Sequence, residues 1–343
     1  MKYDGEKNYK HGSKERIGVL ITNLGTPDKP DKMALKLYLK EFLSDPRVIE
    51  LPKIIWQIIL RGIILNVRPK KVAKLYKSIW EKRGGPLLVM LKKQKKGVEK
   101  NLRNKIKNIK VEIAMRYGNP NINMGLKKLR NFGCRRILIL PLYPQYCAAT
   151  TGSTFDKVTE VLRKWRWVPE IRFINGYYDN PLYIDCLVKS IKDSWNKSGK
   201  TQKLIFSYHG VPKKYLLSGD PYHCFCQKTT RLVVEKMNLK EKDYITTFQS
   251  RFGPQEWLKP YTDKTLEELP KKNINSVHII SPGFSSDCLE TLEELEVENK
   301  KNFLSAGGKK YIYIKCLNNN DLHLKMLSSL VQENTKGWPE NKI

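Results

Sequence analysis

Two segments of this 343-residue chain carry side chains that can exchange protons and hold a metal ion. The segment SYHGVP contains His209, and the segment PGFSSDCLETLEEL contains Glu290. Each follows a short apolar run and contains the Gly and Pro residues that end a strand. A parallel strand that ends in this way leaves its last side chains at the carboxyl edge of the sheet, where α/β proteins bind ligands. A neutral imidazole and a carboxylate at neighbouring edges suit the removal of protons from a substrate bound beside a metal ion.

A series of carboxylates follows in the second segment. Glu290, Glu294 and Glu298 are four residues apart, so a helix places them on one face. Like charges at this spacing repel one another and destabilise a helix, so a compensating reason is expected. Two interpretations stay open: a solvated acidic face on a basic protein, or a ladder that passes a divalent cation or protons toward a buried site. Asp287, at the start of this helix, belongs to the same path or caps the helix.

Other motifs give weaker indications of chemistry. His278 lies in the middle of a predicted strand, which favours a buried core position, whereas His11 and His323 are expected to be solvated. No glycine fingerprint for dinucleotides follows a strand, no GxxxxGK[ST] phosphate loop is present, and no GxSxG elbow supplies a nucleophilic serine. Nucleotide binding and serine catalysis are therefore not predicted.

The elements that must position these residues alternate along the chain. Short β-rich runs are separated by helical patterns, as in parallel sheets that are covered by helices on both faces. Four runs lie in each half, which predicts two similar halves. The runs are Ile17–Asn23, Val111–Tyr117, Arg136–Tyr143, Glu170–Gly176, Lys203–His209, Tyr244–Ser250, Ser276–Pro282 and Lys310–Cys316. The helical patterns include Pro181–Trp195, Leu289–Phe303 and Asp321–Glu333.

A long insertion, residues 30–110, separates the first two strands. Within it, Leu51–Val67 is unusually apolar, although Gln57, Arg61 and Asn66 interrupt it. Two interpretations stay open: a buried core helix, or an exposed apolar lip that guides a hydrophobic ligand or touches a bilayer surface. No run of 18 or more apolar residues occurs, so no membrane-spanning helix is predicted.

The chain is strongly basic, with 64 Lys and Arg against 34 Asp and Glu and a net charge of +30. Only 15 of the basic residues are Arg, the usual choice for bidentate contacts with bases and phosphates. We therefore expect no nucleic-acid partner and favour attraction to anionic lipid head groups. The seven Cys lack disulfide spacing, and the first sixteen residues lack the apolar stretch of a signal peptide. A cytoplasmic location with peripheral membrane contact is expected.

Taken together, the motifs resemble those of the ferrochelatase family, whose members insert ferrous iron into protoporphyrin IX, and in particular its proteobacterial type. The resemblance runs from about Ile17 to Leu330, with the blocks in the family's order and spacing. The blocks are NLGTP, FLSDPRV, LYKSIW…GGPL, LPLYPQY, TTGS, SYHGVP, FQSRFG…WLKPYTD, PGF..DCLETLEEL and AGGKKY.

The resemblance implies a chelatase-like α/β fold of two Rossmann-like domains, each with a four-stranded parallel sheet flanked by helices, and a porphyrin in the cleft between them. The expected N-terminal domain covers 16–175 and carries the apolar active-site lip within the insertion at about 30–110. The expected C-terminal domain covers 176–318 and carries the site, and a helix at 319–337 packs back.

The resemblance also implies a set of site residues. His209 and Glu290 would be the catalytic and metal-binding pair. Glu294, Glu298 and Asp287 would lie on a path for metal or protons. The porphyrin would contact Leu24, Arg116, Tyr117, Tyr143, Trp257 and Phe284.

The expected activity is insertion of Fe²⁺ into protoporphyrin IX with release of two protons, the last step of haem biosynthesis. Iron is then a substrate, and no permanently bound cofactor is expected. Ala148 stands where some animal members have a Cys of a [2Fe–2S] cluster, and no Cys follows Cys316, so no cluster is expected. Cys288 occupies a position where some members carry His. Two alternatives stay open: a chelatase for coproporphyrin or another tetrapyrrole, and a non-catalytic porphyrin carrier, although a carrier would not need both His209 and Glu290.

Overall fold

The structure is a computed structural model that describes residues 3–7 and 9–341. Within these residues, eight strands form two four-stranded parallel sheets, so the predicted count of four plus four is confirmed. Runs rich in Ile, Leu and Val suit strands that are buried on both faces. The strands are β1 (Arg16–Thr26), β2 (Ile109–Gly118), β3 (Cys134–Pro141), β4 (Glu170–Phe173), β5 (Lys203–His209), β6 (Tyr244–Gln249), β7 (Ser276–Ile280) and β8 (Lys310–Ile314).

Helices connect and cover the strands, and several begin with a side-chain cap. The side-chain oxygen of Asn180, for example, accepts a hydrogen bond from the Leu182 N–H at 3.0 Å. The next residue is Pro181, and proline is favoured in the first turn of a helix. The α-helices are α1 (Lys32–Leu43), α2 (Lys53–Ile59), α3 (Leu65–Ile79), α4 (Pro86–Leu102), α5 (Ile122–Asn131), α6 (Ser153–Leu162), α7 (Pro181–Ser198), α8 (Lys213–Leu217), α9 (Tyr222–Lys236), α10 (Thr262–Glu268), α11 (Lys300–Ser305) and α12 (Asp321–Asn334). Further segments are π-helical at Leu60–Ile64, Ala148–Gly152 and Glu290–Asn299.

Both sheets have the same strand order. It is β2-β1-β3-β4 in the first sheet and β6-β5-β7-β8 in the second. In each sheet the second strand in sequence lies on one side of the first strand, and the third and fourth strands lie on its other side. The topological switch point, where open α/β sheets bind ligands, therefore lies between β1 and β3 and between β5 and β7. His209 is the last residue of β5 and so lies at the switch point of the second sheet.

The chain divides into two compact units, one around each sheet. The first comprises the described residues up to Leu142, Ala148–Gly176, and the described residues from Asn319 onwards. The second comprises Tyr143–Cys147 and Tyr177–Asn318. In each unit, strand side chains pack with helical ones to form the core. Examples are Leu20, Ile139 and Leu126 in the first unit and Ile205, Ile279 and Leu295 in the second.

The last long helix, α12, belongs to the first unit and packs against α4. An ideal Cβ on Gly97 would lie 2.4 Å from Cδ1 of Leu324, so the missing side chain permits this close approach. His323 on α12 is buried, so the prediction that it is solvated was wrong, because the helix turns this residue toward the unit. His278 is buried as predicted, and His11 is exposed as predicted.

The insertion between β1 and β2 folds into α1 to α4, and its apolar segment divides between core and solvent. Trp56 is buried and donates its indole N–H to the carbonyl of Leu43 at 2.6 Å, which fixes α2 to the end of α1. Other apolar side chains point outward, and Ile54 and Ile58 are 79% and 69% exposed. We call these exposed residues the apolar lip: Ile54, Ile55, Ile58, Ile63 and Val67. Of the helices in the described part of the chain, none combines the length and apolarity that a membrane span requires.

Candidate active site

One ring nitrogen of His209 makes a hydrogen bond to the main chain, and the other is available to accept a proton. Its Nδ1 lies 2.6 Å from the carbonyl oxygen of Gly210, and because a carbonyl can only accept, Nδ1 carries the proton. In the neutral imidazole the lone pair is then on Nε2. The Tyr222 hydroxyl donates to the His209 carbonyl at 2.9 Å and fixes the main chain at the end of the strand. The half-buried ring therefore offers Nε2 as a proton acceptor.

Aromatic residues flank this imidazole. Phe284 follows β7, the neighbouring strand at the switch point, and its ring centroid is 6.3 Å from that of His209. Trp257 is anchored by its indole N–H, which donates to the Phe252 carbonyl at 2.8 Å. An ideal Cβ on Gly210 would lie 2.7 Å from the carbonyl oxygen of Gln249 and 3.2 Å from the Trp257 ring. Glycine at 210 therefore allows the strand exit and the indole to approach each other closely.

The predicted carboxylate helix differs from the expected α-helix, because Glu290–Asn299 is π-helical. We call it the ladder helix. Extended π-helices are rare, and π-helical turns occur frequently at functional sites. Its inner side is fixed by Leu295, which lies in the core of the second unit. Side chains also donate hydrogen bonds to its carbonyls: the Gln249 amide to Glu290 O (2.9 Å), the Asn299 amide to Glu294 O (2.8 Å) and the Tyr311 hydroxyl to Leu295 O (2.7 Å).

The three predicted carboxylates differ in exposure. Glu290 and Glu294 are half-buried and Glu298 is exposed, so the series runs from the interior to solvent. Burial raises the pKa of Glu294 to about 7, and the charge of Glu290 adds to this rise. Hydrogen bonds from Ser250 and Gln249 to the Glu294 carboxylate oppose it. Glu294 therefore exchanges its proton near neutral pH.

Asp287 precedes the ladder helix and is fully engaged. Its Oδ1 accepts the Tyr313 hydroxyl at 2.7 Å and the Cys316 N–H at 3.2 Å. Its Oδ2 accepts the Asn318 amide at 2.7 Å. These bonds fix the start of the ladder helix to β8 and to the segment that follows it. The adjacent Cys288 is buried, and burial raises the pKa of its thiol.

A cluster of polar side chains surrounds a buried aspartate in the first unit. We call Asp45, Arg116, Tyr117 and Ser153 the Asp45 cluster. Asp45 Oδ2 accepts from Arg116 at 2.5 Å, from the Tyr117 hydroxyl at 2.7 Å and from the Ser153 hydroxyl at 2.6 Å. Burial alone would raise the pKa of Asp45, but hydrogen bonds from Ser153, Tyr117 and the Arg47 N–H, with the charge of Arg116, outweigh it and lower the pKa.

The predicted porphyrin contacts fall on both units. Leu24, Arg116 and Tyr117 belong to the first, and Tyr143, Trp257 and Phe284 belong to the second. Tyr117 is fully buried, and its ring lies 4.4 Å beneath the Arg116 guanidinium. The other five are half-buried. Tyr117 therefore fixes Arg116 from below, whereas the others present part of their surface to solvent.

Three polar residues near these positions were missed by sequence reasoning. Gln249 and Ser250 contact the ladder helix, and Asp45 organises Arg116 and Tyr117. Each lies inside a recognised block, FQSRFG or FLSDPRV. A polar pair at the end of a strand was the available signal, because Gln249 is the last residue of β6 and Ser250 follows it. The described residues contain no group of three or more His, Cys, Asp or Glu that could hold a metal ion.

The fold is similar to that of chelatases of known structure. The sirohydrochlorin chelatase SirB from Bacillus subtilis subspecies spizizenii, in complex with cobalt, matches with a TM-score of 0.55. The match covers 95% of this chain and 98% of that chain at 11% identity. SirB from Bacillus subtilis with Fe3+ also gives 0.55, over 94% and 96% of the two chains at 12% identity. At these identities the likeness concerns the fold alone.

The ferrochelatase family model matches residues 16–335. Ferrochelatase from Thioalkalivibrio sulfidiphilus is 53% identical to this chain, covering 99% of it and 92% of that relative. Ferrochelatases from Marinobacter nauticus and Pseudoalteromonas atlantica are each 51% identical, covering 99% and 98% of this chain and 93% and 94% of the relatives. The chain therefore belongs to the ferrochelatase family, a family of metal-inserting lyases, and the resemblance of its motifs is confirmed.

Proposed function

We propose that this protein inserts Fe²⁺ into protoporphyrin IX and releases two protons, the last step of haem biosynthesis. The observation that carries the proposal is the His209 ring at the switch point, with Nδ1 committed to Gly210 and Nε2 available. Membership of the ferrochelatase family and the names of relatives about half identical in sequence support the substrate and the metal. Iron enters as a substrate, and no resident cofactor or iron–sulfur cluster takes part.

His209 acts as the base. Its Nε2 takes a pyrrole proton as Fe²⁺ forms bonds to the ring nitrogens, and each iron inserted displaces two protons in total. The Nδ1–H···O=C bond to Gly210 stabilises the imidazolium that results, because the carbonyl dipole points its negative end at the ring.

The ladder helix connects this site with solvent. Glu290 and Glu294 are half-buried and Glu298 is exposed, so protons leave, or Fe²⁺ arrives, along one helical face. A carboxyl group with a pKa of about 7 can both accept and release a proton at physiological pH, which suits Glu294 to a relay. Carboxylate and imidazole ligands hold Fe²⁺ less tightly than thiolates do, so the metal can be handed on.

Aromatic and apolar residues hold the macrocycle. Phe284, Trp257 and Tyr143 offer flat surfaces, and Leu24 adds an aliphatic one. The Arg116 Nε donates to Ser153, and one terminal nitrogen donates to Asp45. Because these bonds hold the guanidinium in place, Arg116 forms a rigid wall beside the macrocycle and does not move to pair with the propionates. Tyr117 supports this wall from below.

The test is anaerobic mixing of purified protein with Fe²⁺ and protoporphyrin IX, followed by the absorbance change from free porphyrin to haem. We expect catalytic turnover and a smaller kcat/KM with coproporphyrin. Turnover that prefers coproporphyrin would contradict the substrate assignment. A stoichiometric porphyrin complex that takes up no metal would contradict the enzyme and favour a carrier.

The reaction takes place at the inner face of the membrane, and the apolar lip makes the contact. Residues 51–80 contain seven basic residues and no acidic one, so the exposed isoleucines are framed by positive charge. Lys53, Lys70, Lys74 and Lys77 are exposed on the same helices. Isolated exposed Ile side chains need no explanation, but a cluster on one element marks an interaction surface. Positive charge beside apolar side chains favours anionic lipid over zwitterionic lipid.

Vesicle co-sedimentation tests the membrane contact. We expect binding to phosphatidylglycerol vesicles that weakens at least tenfold in an Ile54→Ser, Ile58→Ser, Ile63→Ser variant. Leu217 and Val168 are also exposed, at 75% and 52%, but lie outside the lip, so their replacement by Ser is the matched control. Equal loss in both variants, or no preference for anionic vesicles, would contradict a docking role of the lip.

A further inference from the structure

Gln249 joins the exit of β5 to the ladder helix. Its main-chain carbonyl accepts the Gly210 N–H at 2.7 Å, next to His209. Its side-chain amide donates to Glu290 O at 2.9 Å and to the Glu294 carboxylate at 3.3 Å. The side chain is almost completely buried, so neither bond competes with water. One residue therefore contacts the segment that carries the proposed base, the main chain of Glu290 and the carboxylate of Glu294.

The chemistry of its neighbours fixes the orientation of this amide. A main-chain carbonyl can only accept, so the NH2 group must face the Glu290 carbonyl, and Glu294 lies on the same side. The amide oxygen then faces Ser207, whose hydroxyl donates to it at 2.8 Å. Ser207 is also fully buried, so it acts as a lock that opposes rotation of the amide.

The residue that follows Gln249 completes the contact. Ser250 has φ +64°, a left-handed conformation that is strained for a residue other than glycine. In this conformation its hydroxyl donates to the same Glu294 oxygen as the Gln249 amide. Strain of this kind persists where the surroundings over-determine it, and here it turns the hydroxyl toward the ladder helix.

We propose that Gln249, locked by Ser207, is a positioning residue for metal insertion: it holds Glu290 and Glu294 in register with the strand exit that carries His209. The inference rests on the proposed function and adds to it a residue that touches neither the porphyrin nor the iron. Without the amide, the ladder helix loses its main-chain contact at Glu290 and the Glu294 carboxylate samples other rotamers. The insertion step then slows, while the porphyrin contacts stay in place.

The test compares Gln249→Ala with Gln249→Met, which has a similar length and volume but no hydrogen-bond donor. We expect kcat for iron insertion to fall at least tenfold in both, with the Kd for protoporphyrin IX, measured by fluorescence quenching, within twofold of wild type. Gln202→Ala is the matched control, because Gln202 makes several hydrogen bonds at the opposite end of β5, including one to the Asn275 N–H at 2.8 Å.

Ser207→Ala provides a second test in a protein that keeps Gln249. We expect kcat to fall several-fold, and the Ser207→Ala, Gln249→Ala double variant to be no slower than Gln249→Ala alone, since the lock acts only through the amide. A Gln249→Met variant with wild-type kcat, or a porphyrin Kd that weakens in parallel with kcat, would overturn the inference and leave the proposed function intact. A wild-type protein that binds porphyrin without metallating it would overturn both.

Discussion

The Asp45 cluster contains a buried Asp–Arg pair, and the same unit also contains an exposed Asp–Arg pair with the same closest approach. The effect of burial on the stability of such a pair can therefore be measured at constant distance. Two Asp–Arg pairs there have the same closest approach, 2.5 Å: Asp45 with Arg116, and Asp156 with Arg47. The side chains of the first pair are 4% and 11% exposed, and those of the second are 47% and 39% exposed. We predict that Asp45→Ala is strongly destabilising, whereas Asp156→Ala is nearly neutral.

The expected loss in the free energy of unfolding depends on which groups lose their hydrogen-bond acceptor in each variant. Removing Asp45 leaves the Arg116 charge, the Tyr117 hydroxyl and the Ser153 hydroxyl buried without their shared acceptor. Removing one partner of a buried pair costs about 3–5 kcal/mol. Removing Asp156 leaves an Arg that water can solvate, and such exposed pairs contribute about 0–1 kcal/mol. The first loss is a large share of a typical free energy of unfolding of roughly 5–15 kcal/mol.

Urea denaturation at pH 7, followed by circular dichroism, measures both changes. The pKa of Asp45 is lowered in the folded state, so its contribution is present above its ordinary value of 3.8 and is lost as the pH falls through the folded pKa. The difference between wild type and Asp45→Ala should therefore persist at pH 5. Equal losses in the two variants, or a loss below about 1 kcal/mol for Asp45→Ala, would refute the argument from burial.

Three further predictions concern a carboxyl group, a helix contact and a strand exit. Glu294 has a folded pKa of about 7 against an ordinary 4.5, so its contribution to stability is complete below 4.5 and is lost as the pH rises through 7. Wild type should therefore lose stability relative to Glu294→Gln between pH 5 and pH 8 in urea denaturation. The exposed Glu298→Gln control should show no such trend, and a flat difference for Glu294→Gln would contradict the raised pKa. Gly97→Ala should lower the free energy of unfolding by about 1–3 kcal/mol despite the better helix propensity of Ala, because the new Cβ would lie 2.4 Å from Leu324. The loss should shrink in a Leu324→Ala background, and a stabilised Gly97→Ala would show that α4 and α12 pack less closely. Gly210→Ala should reduce kcat for iron insertion at least tenfold, because its Cβ would lie 2.7 Å from the Gln249 carbonyl and displace the strand exit beside His209. Wild-type turnover in that variant would contradict the close approach.

Much of the fold could be predicted from local pattern. The β-rich runs that end in Gly or Pro correspond to the strands, and β5 begins and ends at the predicted residues. Parallel pairing of buried strands follows from their continuous apolar character and from the helices between them. The position of His209 also followed, because a residue at the end of a parallel strand must lie at the carboxyl edge of the sheet.

Other features depend on tertiary contacts that a single sequence does not display. The spacing of Glu290, Glu294 and Glu298 predicted a shared face, but not the π-helical conformation or the hydrogen bonds that the segment accepts from Gln249 on β6 and Tyr311 on β8. His323 was predicted to be solvated because its helix is terminal, and the packing of α12 on α4 buries it. The partners of Arg116 come from positions 45 and 153, too distant in sequence for any local pattern to connect them.

The apolar segment Leu51–Val67 shows where composition leaves two outcomes open. Its apolar residues are too closely spaced to distinguish one buried face from two. The structure buries Trp56, Leu60 and Ile64 and leaves the apolar lip exposed. Periodicity alone could not separate these sets, because the π-helical turn at Leu60–Ile64 shifts the phase of the helix in the middle of the segment.

We propose His209 as the base for iron insertion. The most direct measurement is the rate of haem formation by His209→Ala under anaerobic conditions, with porphyrin binding followed in parallel and the exposed-histidine variant His11→Ala as the control. We predict that kcat falls by about 10²–10⁴-fold while the Kd for protoporphyrin IX stays within twofold of wild type. Haem formation by His209→Ala at the wild-type rate would contradict the account.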